Sequence, residues 1–527
     1  MGDEGRARRA PRWRLAFVGI VAVGAAIATG ELAAGIVEGV PSPTLSIGRG
    51  VIALQPPGAK DLFVSLFGSN DKLALDILII AVALLIGAGL GILAARQRSV
   101  ATVAIAAFAG LGFVASIGDP NASLVLAPLA AALEAVVGIG VLNYLVPLAE
   151  GPATPPKRAK AQMPDWTRRA LLIRGGAIAA ASIVAGTIGR MMLDAQRAPV
   201  EVANFPTPAR AVALPNGADF GIQGLTPIVM PNDLFYRIDT ALTIPNVDVS
   251  TWQLKVTGMV DNEVTLTYDQ LVQLPIIEQY VTIACVSNYV GGNLVGNAAW
   301  RGVELRKVLA MAGVQSSADQ LVGRSVDGFT VGMPVEWVMD PSRTPMIAIG
   351  MNGDPLPRAH GYPARLIVPG LYGYVSATKW VTELELTTFD AFSAYWVPLG
   401  WAQKAPILTQ SRIDIPQDAS RVSPGQVTVA GVAWAPDRGV TKVEVAIRQA
   451  PADPTGPQES EWQPTRLSTP ISKATWVQWV YNWQAPAGLW EIQVRATDGT
   501  GTVQTADVTQ PAPDGARGHH TIQVSVG

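Results

Sequence analysis

The chain has 527 residues, and its 39 Lys and Arg against 41 Asp and Glu leave a net charge of −2 at pH 7. This balance argues against nucleic acid as a partner, because neutralising a phosphate backbone needs a basic surplus or a basic face. Hydrophobic residues make up 49% of the chain and charged residues only 15%, against about 25% charged in typical soluble domains. A purely cytosolic soluble protein is therefore not expected. One cysteine and three histidines exclude, within this chain, a disulfide, a zinc ribbon, a cysteine-ligated iron–sulfur cluster and a CxxCH haem attachment.

The apolar residues are concentrated before residue 190, in five stretches near or above the length that crosses a bilayer. A spanning helix needs roughly 18 to 20 apolar residues, because each backbone amide in the hydrocarbon core must be satisfied within the segment. The sequence predicts a five-helix transmembrane bundle over residues 1–190. A cleaved signal peptide is the alternative for the first stretch, which is long for one and lacks a small-x-small exit. The predicted helices are Leu15–Val37, Ala74–Ala95, Val100–Ile117, Ser123–Ala149 and Ala170–Gly189.

Basic residues between these stretches orient the bundle, because Lys and Arg accumulate in short cytoplasmic loops. The loops on the opposite side offer fewer basic residues, among them Arg49 and Lys60. The N-terminus is therefore predicted inside the cytoplasm and everything after Arg190 outside it. The residues that set this orientation are Arg6, Arg8, Arg9, Arg12 and Arg14 before the first helix, Arg96 and Arg98 after the second, and Lys157, Arg158, Lys160, Arg168 and Arg169 before the fifth.

Four polar residues, Glu31, Asp76, Glu134 and Asn143, lie in or at the ends of the apolar stretches. A charge in such a position is costly and often functional. The alternative is that these residues reach the membrane interface or pack between helices. No histidine precedes His360, so the bundle cannot hold a bis-histidine haem and is not expected to be a b-type cytochrome.

The composition after the bundle predicts a linker and a first soluble domain. Several prolines make residues 191–232 an extended linker with little helix potential. Residues 233–398 mix strand-like runs such as Thr251–Gly258 and Val281–Cys285 with a helix signal at Glu304–Ala312. This mixture indicates an α+β domain.

The last part of the chain, residues 399–527, has the pattern of an antiparallel β-sandwich of immunoglobulin-like size. Its strands are short and separated by turns that contain Pro and Gly. The predicted strands are Gln426–Trp434, Val440–Ile447, Trp476–Trp483 and Trp490–Ala496.

The single cysteine, Cys285, follows a β-rich run and precedes Ser287, Asn288 and two glycines. A lone cysteine at a strand end is often a small buried hydrophobe. A thiolate nucleophile is a second interpretation, but it needs a histidine base beside it. The third is a soft ligand for molybdenum, copper or iron.

A second group of polar residues begins at His360, includes Arg365 in an apolar strand, passes through a Gly-rich turn and ends at Lys379. Glycines let the backbone approach a ligand closely, while Arg offers a planar fork and Lys a point charge to a phosphate. A Gly-Pro turn with solvated charges is the alternative for this segment taken alone.

Together these motifs resemble the sulfite oxidase family of molybdopterin enzymes. The resemblance covers about Asp233 to Gly527 and says nothing about the bundle. It is carried by Leu234-Phe235-Tyr236-Arg237, by Cys285-Val286-Ser287-Asn288 with Trp300-Arg301-Gly302, by the run from Met351-Asn352-Gly353 to His360-Gly361-Tyr362-Pro363-Ala364-Arg365, and by Gly431-Val432-Ala433-Trp434 and Pro513-Asp514-Gly515-Ala516 in a segment similar to the family's C-terminal dimerisation domain.

The resemblance implies a molybdenum–molybdopterin cofactor and a role for each matched residue. Cys285 would be the thiolate ligand of molybdenum, and Arg237 would help form the anion pocket beside the metal. The residues implied to contact the pterin or its phosphate are His360, Arg365, Lys379 (one residue later than the family spacing), Ser325 and Asp327, the last two by a looser match.

One departure from the family affects the substrate. Sulfite oxidases have a tyrosine two residues before the Met-Asn-Gly triplet, and this chain has Ile349 there, which can neither donate a hydrogen bond nor relay a proton. The expectation is two-electron oxygen-atom transfer on a small sulfur- or nitrogen-containing substrate, with sulfite-type oxidation and sulfoxide reduction both open. The implied partners are the membrane, an electron-transfer protein and a second copy of the chain. A cofactor-free scaffold or adhesion module is the alternative from another class.

The resemblance also implies a route for export. Molybdopterin is assembled in the cytoplasm across the family, so a loaded domain must cross the membrane folded. Thr167-Arg168-Arg169-Ala170-Leu171-Leu172 resembles a twin-arginine signal placed internally, before the fifth apolar stretch. The alternative is that Arg168 and Arg169 serve only as positive-inside residues.

Overall fold

The computed structural model describes residues 10–37, 39–54, 71–117, 122–150, 166–195, 205–209, 211–241, 244–450 and 461–527. The chain forms two compact units, a helical one over residues 1–198 with 240–244 and a sheet-rich one over 199–239 and 245–527. Several basic residues used to predict the orientation lie outside the described ranges. They are Arg6, Arg8, Arg9, Lys60, Lys157, Arg158 and Lys160.

The helical unit contains the five predicted helices, each with shifted ends. All five are long and apolar enough to cross a membrane. The largest shift is in the last one, which begins four residues earlier and ends six residues later than the apolar stretch, so that Arg168 and Arg169 lie in its first turn. The long helices are α1 (Arg12–Ile36), α3 (Asp71–Ala94), α4 (Arg98–Ser116), α5 (Leu126–Glu150) and α6 (Trp166–Ala195).

A further helix that the sequence analysis missed, α2, spans Pro43–Leu54. Its 12 residues are too few to cross a bilayer, so the search for long apolar runs passed over it. The start signal is nevertheless present in the sequence. Pro43 occupies the first helical position, and the Ser42 hydroxyl accepts a hydrogen bond from the Leu45 amide at 3.3 Å, the usual arrangement of an N-cap.

Small residues set the spacing of the helical unit. A methyl group at Gly19 would lie 1.8 Å from the Gly87 carbonyl oxygen of α3, and one at Gly35 would lie 2.3 Å from the Gly189 carbonyl oxygen of α6. Backbones this close leave room only for glycine, a pattern typical of helices that associate in membranes. The outward faces are apolar and exposed, as at Val103, Val136 and Ile183.

The α+β part of the sheet-rich unit contains two five-stranded sheets. One has the order β2-β1-β10-β5-β6, and in the other β3-β4-β7-β8 are joined by β9, which pairs with β7. The strands are β1 (Gln253–Gly258), β2 (Val264–Thr267), β3 (Ile276–Ala284), β4 (Val295–Glu304), β5 (Gln320–Ser325), β6 (Thr330–Pro334), β7 (Met346–Met351), β8 (Asp354–Pro355), β9 (Arg365–Ile367) and β10 (Val381–Thr387), and the helices are α7 (Tyr268–Val272), α8 (Leu305–Ala312), α9 (Val335–Met339) and α10 (Gly373–Ser376).

The second of these sheets places two of the predicted site residues. Strand β3 pairs antiparallel with β4 up to Ala284, the residue before Cys285. Strand β9 opens with Arg365, which lies opposite Ala348 of β7. The side chains of β7 are all buried, so this strand forms the middle of the hydrophobic core beneath the site.

The C-terminal part is a β-sandwich with sheet orders β11-β13-β17-β16 and β12-β19-β18-β14-β15. Trp479, Val445 and Ile492 lie in the core between the sheets. The pairing of β12 with β19 is parallel, an exception to the antiparallel arrangement that was predicted. The strands are β11 (Gln410–Ile415), β12 (Ser420–Val422), β13 (Gly425–Trp434), β14 (Val440–Gln449), β15 (Gln463–Pro464), β16 (Arg466–Leu467), β17 (Val477–Ala485), β18 (Gly488–Asp498) and β19 (His520–Val526).

The predicted linker is divided between the two units. Residues 191–195 belong to α6, whereas residues 205–209 and 211–232 contain no helix or strand and pack on the sheet-rich unit. The Ile228 side chain is buried, the Met230 amide donates to the Asn297 carbonyl at 2.9 Å, and the Phe205 ring lies 5.0 Å from the Arg301 guanidinium. These contacts are made by residues distant in sequence, which composition alone does not predict.

Candidate active site

Cys285 lies at the end of β3, where the strand turns away from β4. The Cys285 amide donates to the Leu294 carbonyl at 2.9 Å, and the Cys285 carbonyl accepts from the Asn288 amide at 3.1 Å. The Asn288 side chain closes the loop by accepting from the Leu294 amide at 2.8 Å. The thiol is buried and lies 2.9 Å from the Ser287 hydroxyl. The loop's hydrogen bonds therefore fix the backbone that carries the sulfur, and the Ser287 hydroxyl lies within contact distance of it.

Three tyrosines that the sequence analysis did not select as site residues lie near enough to this thiol to interact with it electrostatically. Burial raises the pKa of Tyr236, Tyr372 and Tyr374, and the nearby Cys285 raises each pKa further. A methyl group at Gly373 would lie 3.7 Å from the Ala284 carbonyl and 3.9 Å from the Tyr236 hydroxyl. Tyr236 precedes the matched residue Arg237 in the sequence. Its position near the thiol depends on how the chain folds, and no local sequence pattern indicates it.

Arg365 is buried and carries an unused hydrogen-bond donor. Its guanidinium lies 4.9 Å from the centre of the Trp300 ring, and Nη1 donates to the His360 carbonyl at 3.0 Å. Among the described residues, its Nε has no hydrogen-bond partner. Burial lowers the pKa of Arg365 to about 10, so the group is still charged at pH 7. A buried cation with a free donor is suited to an anionic ligand.

His360 carries an unused acceptor. Burial, and then the charges of Lys379 and Arg365, lower its pKa to about 4, so the ring is neutral at pH 7. Nε2 lies 2.9 Å from the Asn232 carbonyl, which can only accept, and so Nε2 carries the hydrogen. The other nitrogen, Nδ1, is then an acceptor, and it has no partner within the described parts of the chain.

Lys379 and Arg237 meet at Asp239. Lys379 Nζ donates to Asp239 Oδ2 at 2.9 Å and to the Ala359 carbonyl at 3.0 Å, and Arg237 Nε donates to the same Asp239 oxygen at 2.9 Å. Burial lowers the pKa of Lys379 to about 8, against the opposing effect of Asp239. The structure thus joins two of the predicted residues through a carboxylate that sequence matching did not select.

Ser325 and Asp327 lie in the turn between β5 and β6. The Ser325 hydroxyl accepts from the Asp327 amide at 3.4 Å, and Asp327 Oδ1 accepts from the Phe329 amide at 3.2 Å. The turn reaches the end of the Lys379 segment, because the Val326 amide donates to the Trp380 carbonyl at 3.0 Å. No contact within the described residues joins either side chain to Cys285, His360 or Arg365.

Ile349, the position that departs from the family, is fully buried in β7. It belongs to the same hydrophobic cluster as Ala364 and Tyr372. The side chain thus extends the core beneath the site, and the phenols near the thiol come from other positions.

The comparisons with known proteins agree with this geometry. Residues 241–396 match the family model described as an oxidoreductase molybdopterin binding domain. The chain is 29% identical to mitochondrial sulfite oxidase of Mus musculus over 320 residues, which cover 52% of this chain and 57% of that protein. It is 34% identical to nitrate reductase [NADH] 1 of Oryza sativa over 178 residues, which cover 29% of this chain and 19% of that protein.

The chain carries a molybdopterin-binding oxidoreductase domain of the sulfite oxidase family. The resemblance seen in the sequence is thereby confirmed, and the family implies a molybdopterin cofactor. The chain spans little more than half the length of the sulfite oxidases that it matches. A solved structure of sulfane dehydrogenase SoxCD from Paracoccus pantotrophus is also similar, with a TM-score of 0.48 and 22% identity over 60% of this chain and 87% of that one.

Proposed function

We propose that this protein is a membrane-anchored molybdoenzyme whose site at Cys285 carries out two-electron oxygen-atom transfer. The observation that carries the proposal is a pair of buried nitrogens without partners in the described structure, Arg365 Nε and His360 Nδ1. Unsatisfied buried polar groups are costly, and these two lie in the segment that matches the family's cofactor motif, which supports a ligand that satisfies both.

The two nitrogens differ in hydrogen-bonding character, and molybdopterin has a suitable group for each of them. Arg365 offers a charged donor and suits a phosphate oxygen, whereas neutral His360 offers an acceptor and suits an N–H group of the pterin. Lys379 supplies a second positive charge for the phosphate. Ser325 and Asp327, in the turn beside Trp380, are assigned outer pterin contacts on the loose sequence match alone.

Cys285 is proposed as the thiolate ligand of molybdenum. When bound, the cofactor supplies the two-electron redox chemistry, and the protein supplies the ligand, the pocket and its charges. Arg237 is exposed on one side and is proposed to attract an anionic substrate to the entrance. The phenol of Tyr236, near both Cys285 and Arg365, is proposed to offer the hydrogen bond that Ile349 cannot.

The substrate is proposed to be a small sulfur- or nitrogen-containing molecule. Oxidation of a sulfite-like anion and reduction of a sulfoxide both suit a site with one thiolate, a charged rim and buried phenols. A panel of sulfur oxyanions, sulfoxides and N-oxides, each assayed with an artificial electron donor or acceptor, decides between them. The group with the highest kcat/KM identifies both the substrate class and the direction of transfer.

We propose that residues 1–190 form the anchor, 191–232 a linker, 233–398 the catalytic domain and 399–527 an immunoglobulin-like dimerisation domain. The exposed apolar faces of the five long helices support membrane insertion, since such faces need a covering of lipid. The basic flanks described above support a cytoplasmic N-terminus and an extracytoplasmic catalytic domain. Electrons then pass to or from a separate partner protein.

Cys285→Ser tests the assignment of the metal ligand. A hydroxyl is a harder and weaker ligand of nearly the same volume, so we expect turnover to be abolished with the fold retained. Molybdenum content and turnover are measured on the full chain in detergent or lipid. Ser287→Ala is the matched control, because it removes the hydroxyl beside Sγ and leaves the thiol.

Two outcomes of this experiment contradict the proposal. Full activity in the Cys285→Ser protein removes the molybdenum–thiolate assignment. Wild-type protein that contains no molybdenum and no pterin, even when expressed with active cofactor synthesis, supports the cofactor-free scaffold instead.

A further inference from the structure

The helical unit contains a buried carboxyl group that the molybdenum chemistry does not use. Glu134 of α5 is 8% exposed, and its side chain lies against the backbone of α1. A methyl group at Gly30 would lie 2.2 Å from Glu134 Oε1. A side chain at position 30 would therefore displace the Glu134 carboxyl group from this position.

The charged residues near Glu134 already have partners. Arg190 Nε lies 2.6 Å from Glu31 Oε2, and Arg190 Nη2 lies 3.0 Å from Asp76 Oδ2. Glu31 Oε1 also accepts from the hydroxyls of Ser42 at 2.7 Å and Thr44 at 2.8 Å. The Arg190 guanidinium is thus paired with two carboxylates. Within the described ranges, no cation or hydrogen-bond donor contacts Glu134.

An unpaired carboxylate in this position would be strongly destabilising. A buried charge without a partner loses its hydration and gains nothing in return, and the negative charge of Glu31 nearby adds repulsion. The neutral, protonated form avoids both costs. The geometry therefore favours a carboxylic acid at Glu134 and an ion group of Glu31, Asp76 and Arg190 beside it.

A cavity of about 20 Å³ adjoins the Glu134 side chain. One water molecule needs roughly 10 to 15 Å³ of such space, so the cavity has room for one water. The wall residues from α2, α3 and α4 carry no charge, and the only hydroxyl among them is that of Thr44. Thr44 also contacts Glu31, so the cavity is lined both by the acid and by a hydroxyl group that belongs to the surroundings of the ion group.

The ion group leads out of the core. The side chains of Asp76 and Arg190 are 21% and 30% exposed, whereas Glu31 is 5% exposed. Asp76 and Arg190 thus extend the ion group from the buried Glu31 to the surface of the unit.

We propose that Glu134 is a proton-binding site of the helical unit, a carboxylic acid that exchanges its proton through the adjacent water cavity and the Glu31–Asp76–Arg190 ion group. The ligand is a proton, because the group left without a partner is a carboxyl group and the cavity beside it has the volume of about one water molecule. The unit then binds and releases protons as well as anchoring the chain, independently of the identity of the molybdenum site.

The test is infrared difference spectroscopy of the full chain in lipid nanodiscs, compared in H₂O and D₂O. We expect a carbonyl-stretch band of a protonated carboxylic acid in the wild type that disappears in Glu134→Gln and shifts to lower frequency in D₂O. Glu150→Gln is the matched control, since Glu150 is on the same helix but is exposed and lies 3.6 Å from Arg98. It should leave the band unchanged.

Glu134→Asp covers the case in which the glutamine variant fails to fold. It keeps the acid but shortens it by one methylene, so the band should change in frequency. Two results overturn the proposal: a spectrum with no acid band that depends on residue 134, and a band that D₂O leaves unshifted in the folded protein. Neither result depends on the molybdenum site, because turnover is not measured.

Discussion

His360 connects the site to the acid stability of the sheet-rich unit. Its pKa of about 4 in the folded state lies below its ordinary value of 6.5, so between pH 6.5 and 4 the unfolded chain binds more protons than the native one. The free energy of unfolding therefore falls as the pH drops through this window. A shift of this size corresponds to a loss on the order of 3 kcal/mol.

Replacing His360 by Gln removes this contribution. Glutamine can still donate to the Asn232 carbonyl, so we expect a protein whose unfolding free energy falls less steeply between pH 6.5 and 4 than that of the wild type. The measurement is denaturant unfolding of the metal-free protein at several pH values. Parallel curves for the two proteins would show that His360 is not buried in its neutral form.

Arg365 is expected to anchor the cofactor. Arg365→Ala removes a charge-assisted contact worth roughly 1.5 to 3 kcal/mol, about 10- to 100-fold in affinity. We expect lower molybdenum occupancy with unchanged membrane insertion, measured as metal per protein in washed membranes. The control is Arg324→Ala, which removes a partly exposed guanidinium paired with Glu385. Equal metal content in wild type and Arg365→Ala would mean that the residue has another role.

At the scale of the element, the sequence predicted those strands and helices that have a recognisable pattern of apolar residues within their own segment. The helix expected at Glu304–Ala312 is α8, with Glu304 as its N-cap residue. The strand expected at Gln426–Trp434 begins one residue earlier. The helix has apolar residues at the spacing that buries one face, and the strand is a short run rich in β-branched and apolar residues.

The contacts that assemble the site were beyond sequence reasoning. Asp239 pairs with a lysine 140 residues away, and Tyr236 approaches a thiol that belongs to another part of the chain. Such pairs depend on how the sheets pack. Residues with distinctive chemistry, such as Cys285 and Arg365, could be selected in advance, whereas an ordinary Asp or Tyr gains its role only from its neighbours in the fold.

At the scale of the whole molecule, the twin-arginine proposal concerns how the catalytic part reaches the outside. In the structure the Arg168 guanidinium lies 5.7 Å from the Trp13 ring of α1, which supports a packing role as the alternative. Arg168→Lys with Arg169→Lys keeps the charge of the flank and so satisfies the positive-inside rule equally well. A lysine also retains attraction to the Trp13 ring.

We expect the double lysine variant to strand the C-terminal domain in the cytoplasm, because a twin-arginine signal is recognised by its arginines and not by charge alone. Protease added to intact spheroplasts should digest that domain in the wild type and spare it in the variant. Arg12→Lys with Arg14→Lys is the matched control, since it makes the same exchange in the first turn of α1 and should leave digestion unchanged. Equal digestion of wild type and the Arg168, Arg169 variant would refute the export signal. The predicted orientation would stand, because it depends on the positive charge of the flank, which the lysines preserve.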